Sequence, residues 1–186
     1  MTPVDTRAPA ARTDAGTDWF GVVVGLSAWA VFFAALAFSV GYLRMRAPWP
    51  LAGMPPLPKV LPAVGVLLLG AAGGLLHRGG RGASVVPWVV GALAAMVASL
   101  AVQGFVMSML WSAGLTLPKG GAYASAVYGL GGLHAAHVVV GLLGLVRELV
   151  RGVRGAEVRG AVRLWGLYGF FLTATGLVLF AAVYLP

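Results

Sequence analysis

The sequence predicts an all-α integral membrane bundle of five transmembrane helices, and three observations predict it. Five apolar stretches, each long enough to cross a bilayer, fill almost all of the 186 residues. Hydrophobic residues make up 60% of the chain and charged residues 10%, with a mean hydropathy of +0.92. That is too little charge for the polar shell of a soluble domain of this size. The basic residues behind the net charge of +8 sit in short segments between the apolar stretches. Such placement is a topology signal rather than a nucleic-acid footprint.

A hydrocarbon core of roughly 30 Å needs about 20 helical residues. The first 18 residues are rich in Ala, Pro, Thr and Asp and lack the apolar core of a signal peptide. They are expected to form a mobile polar tail ahead of a transmembrane domain over 19–186. The first span is expected at about Trp19 to Leu43. Pro48, Pro50, Pro55, Pro56 and Pro58 keep the next segment from being helical throughout. A short second span runs from about Val60 to Leu76, and the turn after His77 and Arg78 leads to a third over about 85–111. Pro118, Lys119, Gly120 and Gly121 mark the next connection. The fourth span covers about 122–146, a basic loop follows, and the fifth covers about 164–185. In lipid the backbone polar groups must be bonded internally, so each span must be a helix.

Charge asymmetry sets the expected orientation. The N-terminal segment and the second and fourth loops carry nine basic residues, and the opposite side carries four. The excess predicts a cytoplasmic N-terminus and an external C-terminus. Trp19, Trp49, Trp88, Trp111 and Trp165 fall near span ends, as interfacial anchors should. Gly21 with Gly25, Gly70 with Gly74, and the group Gly129, Gly131 and Gly132 offer small faces where helices can approach closely.

Several chemistries are excluded or weakened. There is no cysteine, hence no disulfide, thiolate metal site or iron–sulfur cluster. The five acids, Asp5, Asp14, Asp18, Glu148 and Glu157, all fall outside the expected spans. Proton relays generally rest on an intramembrane carboxylate, so this chain is a poor candidate for moving protons or ions alone. No carboxylate is available to orient a histidine beside a serine, and no phosphate loop follows a strand. Intrinsic catalysis is therefore not expected.

The interior polar groups are few: Gln103, some serines and threonines, Tyr123, Tyr128 and Tyr168, and the pair His134 and His137. Residues three apart on a helix point the same way, so the two histidines cannot grip one haem from opposite faces. A metal would need further ligands, and none is at hand within the spans. The better reading is of neutral imidazoles bonded to other helices or to a partner subunit.

The string GGAYASAVYGLGGLHAAHVVVGLLGL resembles subunit III of the haem-copper oxidases, the cytochrome c oxidase and quinol oxidase group. The resemblance rests on Gly121, Tyr123, Ser125, Tyr128, Gly132, His134, His137, Val138 and Gly141. Leu133 and Ala135 depart from the family's usual Phe and Gly. Tyr42, Arg44, Trp49 and Pro50 resemble the end of the family's first conserved helix, Gln103 matches a family glutamine, and LVLFAAVYL resembles the last helix. Trp29 stands where the family normally carries a buried glutamate. Gly169, Phe170, Phe171, Thr173 and Gly176 replace its usual Trp-His-Phe-x-Asp ending and the Trp that follows.

The resemblance implies a divergent five-helix, non-catalytic subunit of a respiratory complex in a prokaryotic inner membrane. That complex would reduce oxygen to water and pump protons. Haem and copper would reside in partner subunits and none in this chain. The catalytic subunit I, other oxidase subunits and phospholipid would be its partners, in a hetero-oligomer that binds no nucleic acid. His134, His137, Tyr123, Tyr128, Gln103, Ser125 and Trp29 are the expected interhelical or lipid contacts. A subunit-III-like partner of a quinol oxidase or nitric oxide reductase fits the same residues. A small carrier suits the glycine-rich spans, against which stand the missing carboxylates and the odd number of spans. An oxidase assembly factor is a further alternative.

Overall fold

A computed structural model describes residues 10–82 and 84–185 of the chain. It contains five helices: α1 (Ala10–Arg46), α2 (Val60–Gly79), α3 (Val86–Ser112), α4 (Leu117–Val153) and α5 (Arg159–Tyr184). No strand occurs among the described residues. All five helices are long and apolar enough to cross a membrane.

The helices outrun several expected spans. Residues 10–18 of the expected tail are helical, and residues 1–9 lie outside the described ones. At the same end of the bundle, α4 continues to Val153 and α5 begins at Arg159, which shortens the connection between them. Arginine is a good helix former whose long stem lets its charge reach water, so a run of arginines marks where the lipid ends and not where the helix ends. Within α4, Gly121 has φ 51° and ψ −135°, which kinks the segment one residue before the expected span start. A side chain there would be strained, so glycine suits the turn.

Helix α2 lies between α3 and α5, α4 closes the group against both, and α1 packs mainly on α5. Two apolar clusters fill the group. One, including Leu76, Val89, Met96, Leu145 and Val162, lies toward the end that carries the α2–α3 and α4–α5 connections. The other, including Leu110, Leu115, Val127 and Val183, lies toward the end that carries the α1–α2 and α3–α4 connections. Trp49, Leu51, Met54 and Leu57 of the proline-rich connection pack onto this second cluster. That connection is therefore a strap across the bundle end. Arg44 Nη1 donates to Ala182 O (2.8 Å), Trp49 Nε1 to Val183 O (3.0 Å) and Tyr123 Oη to Pro55 O (3.1 Å), which tie it down.

Close helix contact is built partly from glycines outside the small-residue pairs and group that the sequence offers as packing faces. A Cβ on Gly169 would lie 2.9 Å from Gly73 Cα, so α2 and α5 meet backbone to backbone. Gly144 of α4 receives the indole of Trp165, and Gly141 receives Met96 and Tyr168. Of the expected positions, Gly70 meets Thr173, and Gly131 meets Met107 and Gln103. Gly21, Gly25, Gly74, Gly129 and Gly132 have open space beside them. The open positions lie on surfaces left for lipid or another chain. Trp19, Phe20, Val31 and Phe38 on α1 are likewise exposed, as apolar side chains are where acyl tails replace water.

Candidate functional site

A polar layer crosses the bundle between the two apolar clusters. Ser99 of α3 donates to Gly65 O of α2 (2.9 Å). Gln103, one turn further along α3, donates through Nε2 to Gly131 O of α4. His134 of α4 bonds through Nε2 to Leu172 O of α5 at 3.0 Å. Thr175 donates to Phe171 O (2.9 Å) and Leu172 O (3.2 Å) of its own helix. A carbonyl oxygen only accepts, so His134 carries its proton on Nε2. Each bond joins a short polar side chain to a backbone carbonyl, a pairing that hydrocarbon surroundings favour because no water competes.

The two histidines have different roles. His134 is 7% exposed and bonds across helices. His137 is half-buried, and its Nδ1–H donates to Leu133 O of its own helix at 2.8 Å. Its contribution between helices is aromatic. Trp29 of α1 meets the ring edge to face at 4.5 Å between centroids, and Phe33 does so at 5.2 Å. Phe33 is 1% exposed and also approaches His134 and Phe171, so it is the side chain that seats α1 on α4 and α5. Tyr168 of α5 adds a bond to His137 O (2.8 Å).

The remaining candidates divide. Tyr123 is buried, reaches Pro55 O and packs edge-on against Trp49 at 4.7 Å. Tyr128 donates to Leu115 O (2.7 Å), closing the α3–α4 connection. These two tyrosines serve the strapped end of the bundle and not the polar layer. Ser125 is exposed on α4, and its hydroxyl has no hydrogen-bond partner among the described residues. Residue order alone does not distinguish it from its neighbours, because Tyr123, Ser125 and Tyr128 are close in number and diverge only with the rotation of the helix.

The placement of Glu148 corrects an expectation. The sequence puts it in a loop outside the spans, whereas the structure puts it inside α4, within the segment Lys119–Val153 that is apolar enough to cross a membrane. It is 1% exposed. Its two oxygens accept from Arg147 Nη1 and Arg151 Nη1, each at 2.9 Å, and those arginines are 71% and 44% exposed. The buried acid is thus clamped by two cations that keep contact with the surroundings. Its spacing to Arg151, three residues along a helix, is the signal that could have placed it.

No group of three or more His, Asp or Glu side chains among the described residues is placed to hold a metal ion. The only histidine outside the pair, His77, lies near the end of α2 beside Phe170.

Five apolar helices joined through buried polar contacts define a multi-pass helical membrane protein. No protein-family model matches the sequence. The chain is, however, 33% identical over 178 residues to cytochrome c oxidase subunit 3 of Synechocystis sp., an alignment covering 89% of this chain and 74% of that protein. It belongs to the cytochrome c oxidase subunit 3 family.

Proposed function

We propose that this chain is a non-catalytic subunit III of a respiratory haem-copper oxidase in a prokaryotic inner membrane. The assembled complex reduces oxygen to water and pumps protons, with haem and copper held by partner subunits. This chain packs beside the catalytic subunit, binds phospholipid and slows inactivation of the complex. Its N-terminus faces the cytoplasm, as the distribution of arginines favours. The relationship to cytochrome c oxidase subunit 3 over most of its length carries the reading. The bonded polar layer supports a bracing role, since its groups tie one helix to the next.

Extraction in mild detergent, followed by a visible spectrum and mass spectrometry of co-eluting chains, tests this proposal. A haem spectrum and stoichiometric partner chains are expected. A chain that elutes alone or only with copies of itself would favour a carrier.

The histidines give a finer test. His134→Leu removes an interhelical bond, and His137→Leu removes one that stays within α4. The first should lower the thermal stability of the complex by about 1 kcal/mol, the usual range for such bonds in membranes. The second should cost less, through lost contact with Trp29. Haem content per catalytic subunit should be unchanged in both variants and in the double variant. Loss of haem on substitution would end the division of labour proposed.

A further inference from the structure

We propose that a small cluster of ordered water is bound within the polar layer, held by His134 Nδ1, Gln103 Oε1 and Tyr184 Oη. The site lies wholly within this chain and does not depend on the subunit reading.

A cavity of about 80 Å³ lies among α2, α3, α4 and α5. Ser99, Gln103 and His134 line it at the level of the polar layer, and Tyr184 lines it near the end of α5. Gly176 makes the room, since a Cβ there would lie 3.2 Å from the His134 ring and 3.3 Å from Val66. A water molecule takes about 30 Å³ in the liquid, so about two or three fit.

The bonds of the polar layer satisfy only one side of each group. His134 gives its one ring proton to Leu172 O, so the neutral ring keeps a lone pair on Nδ1. Gln103 donates through Nε2 to Gly131 O, which fixes the amide and leaves Oε1 on its other branch. Among the described residues, His134 Nδ1, Gln103 Oε1 and Tyr184 Oη have no hydrogen-bond partner. Nor is any unpartnered side-chain oxygen or nitrogen sealed inside the protein among those residues, so all three atoms open onto space. His134 is buried, and the space open to its Nδ1 is the cavity that it lines.

The chemistry of these groups selects water over hydrocarbon. Cavities stay dry when their walls are apolar, whereas an ordered water needs two to four polar partners. Water supplies the hydrogens that Nδ1 and Oε1 require. It also accepts from the Tyr184 hydroxyl and from the second Nε2 hydrogen of Gln103. The Ser99 oxygen, which donates to Gly65 O, can accept as well.

A second cavity of about 220 Å³ shares Val183 and Tyr184 with the first and is lined by Arg44 and Lys59 beneath the strap. Two cations keep that space hydrated, which gives water a way in past Tyr184. The way ends at Leu69, which lines the first cavity and belongs to the apolar cluster beyond it. The hydrated segment is therefore a pocket open to one end of the bundle and not a channel through it.

Hydroxyl-radical footprinting of the intact complex in lipid nanodiscs, in water labelled with heavy oxygen, reads the bound water. Two methionines of α3 serve as reporter and reference. Met107 lines the cavity, and Met96 is buried in the apolar cluster. Radicals formed from bound water oxidise the side chains beside it, so Met107 should gain heavy oxygen severalfold faster than Met96. Val66→Phe fills the cavity and should bring Met107 down to the rate of Met96, while the exposed Met45 keeps its own rate. A cryo-EM map of the unsubstituted complex, at a resolution that shows water, makes the same test without a variant. Separate peaks within hydrogen-bonding reach of His134 Nδ1 and Gln103 Oε1 are expected. The proposal is overturned by a Met107 rate no faster than that of Met96, or by one that survives Val66→Phe. It is overturned equally by a map with no density in the cavity, or with the continuous rod of an acyl or detergent tail.

Discussion

Gly144→Ala is expected to destabilise the bundle more than any other single-methyl addition to α4. A Cβ at this position would overlap three atoms of the Trp165 indole, including its six-membered ring. A rigid ring cannot bend out of the way as a Met or Arg tip can. The indole is further set by Tyr168, edge-on at 5.5 Å. Either α5 must move away from α4 or the indole must leave its notch, and overpacking of that kind costs about 1–3 kcal/mol. The expected readout is a lower temperature for loss of the monodisperse complex in detergent. A double-mutant cycle isolates the cause. With Trp165→Leu in the background the notch is empty. Alanine should then be favoured over glycine by up to about 1 kcal/mol, its intrinsic advantage within a helix. The sign of the Gly144→Ala effect should therefore reverse. If it stays destabilising once the indole is gone, the α4–α5 contact is not made through this notch.

Much of this architecture is legible from residue order because hydropathy is a local property. Each span carries its own signal, and the five helices follow without knowledge of their neighbours. The aromatic and histidine ladder of α4 is legible as polar contact for the same reason: few such groups can stay unpaired in hydrocarbon. What stays hidden depends on the rotation of one helix against another. Gly21 with Gly25 has the same spacing as Gly70 with Gly74, yet the first pair faces open space and Gly70 meets Thr173. A backbone-to-backbone approach joins Gly73 to Gly169, nearly a hundred residues apart in sequence, and no local pattern announces it. His134 and His137 share one side of α4, but a rotation of one turn gives the first a carbonyl on α5 and leaves the second its own helix and the aromatic rings of α1. Trp29, which stands in the place of an acid, is one of those rings.

Glu148 is the residue whose setting the sequence concealed most, and its substitution should have the second large effect. Glu148→Lys would bury an ammonium between two arginines that now share one carboxylate. Desolvating an ion costs several kcal/mol even after relaxation, and here the neighbours would repel it instead of offsetting the cost. The full-length chain should fail to accumulate in the membrane or to join a complex. Glu148→Leu separates charge from shape. Leucine fills a similar volume, while Arg147 and Arg151, already 71% and 44% exposed, can extend outward without stranding a buried charge. That change should cost less than about 1.5 kcal/mol, the range of volume-conserving replacements. Glu148→Ala should cost more, about 2–4 kcal/mol, because it leaves a void at a site that is 1% exposed. The order of accumulation expected on immunoblots of membranes is wild type, Leu, Ala, then Lys. If Leu is as damaging as Lys, the carboxylate holds the two arginines in positions the assembly requires. Glu148 would then act through its charge and not through its bulk.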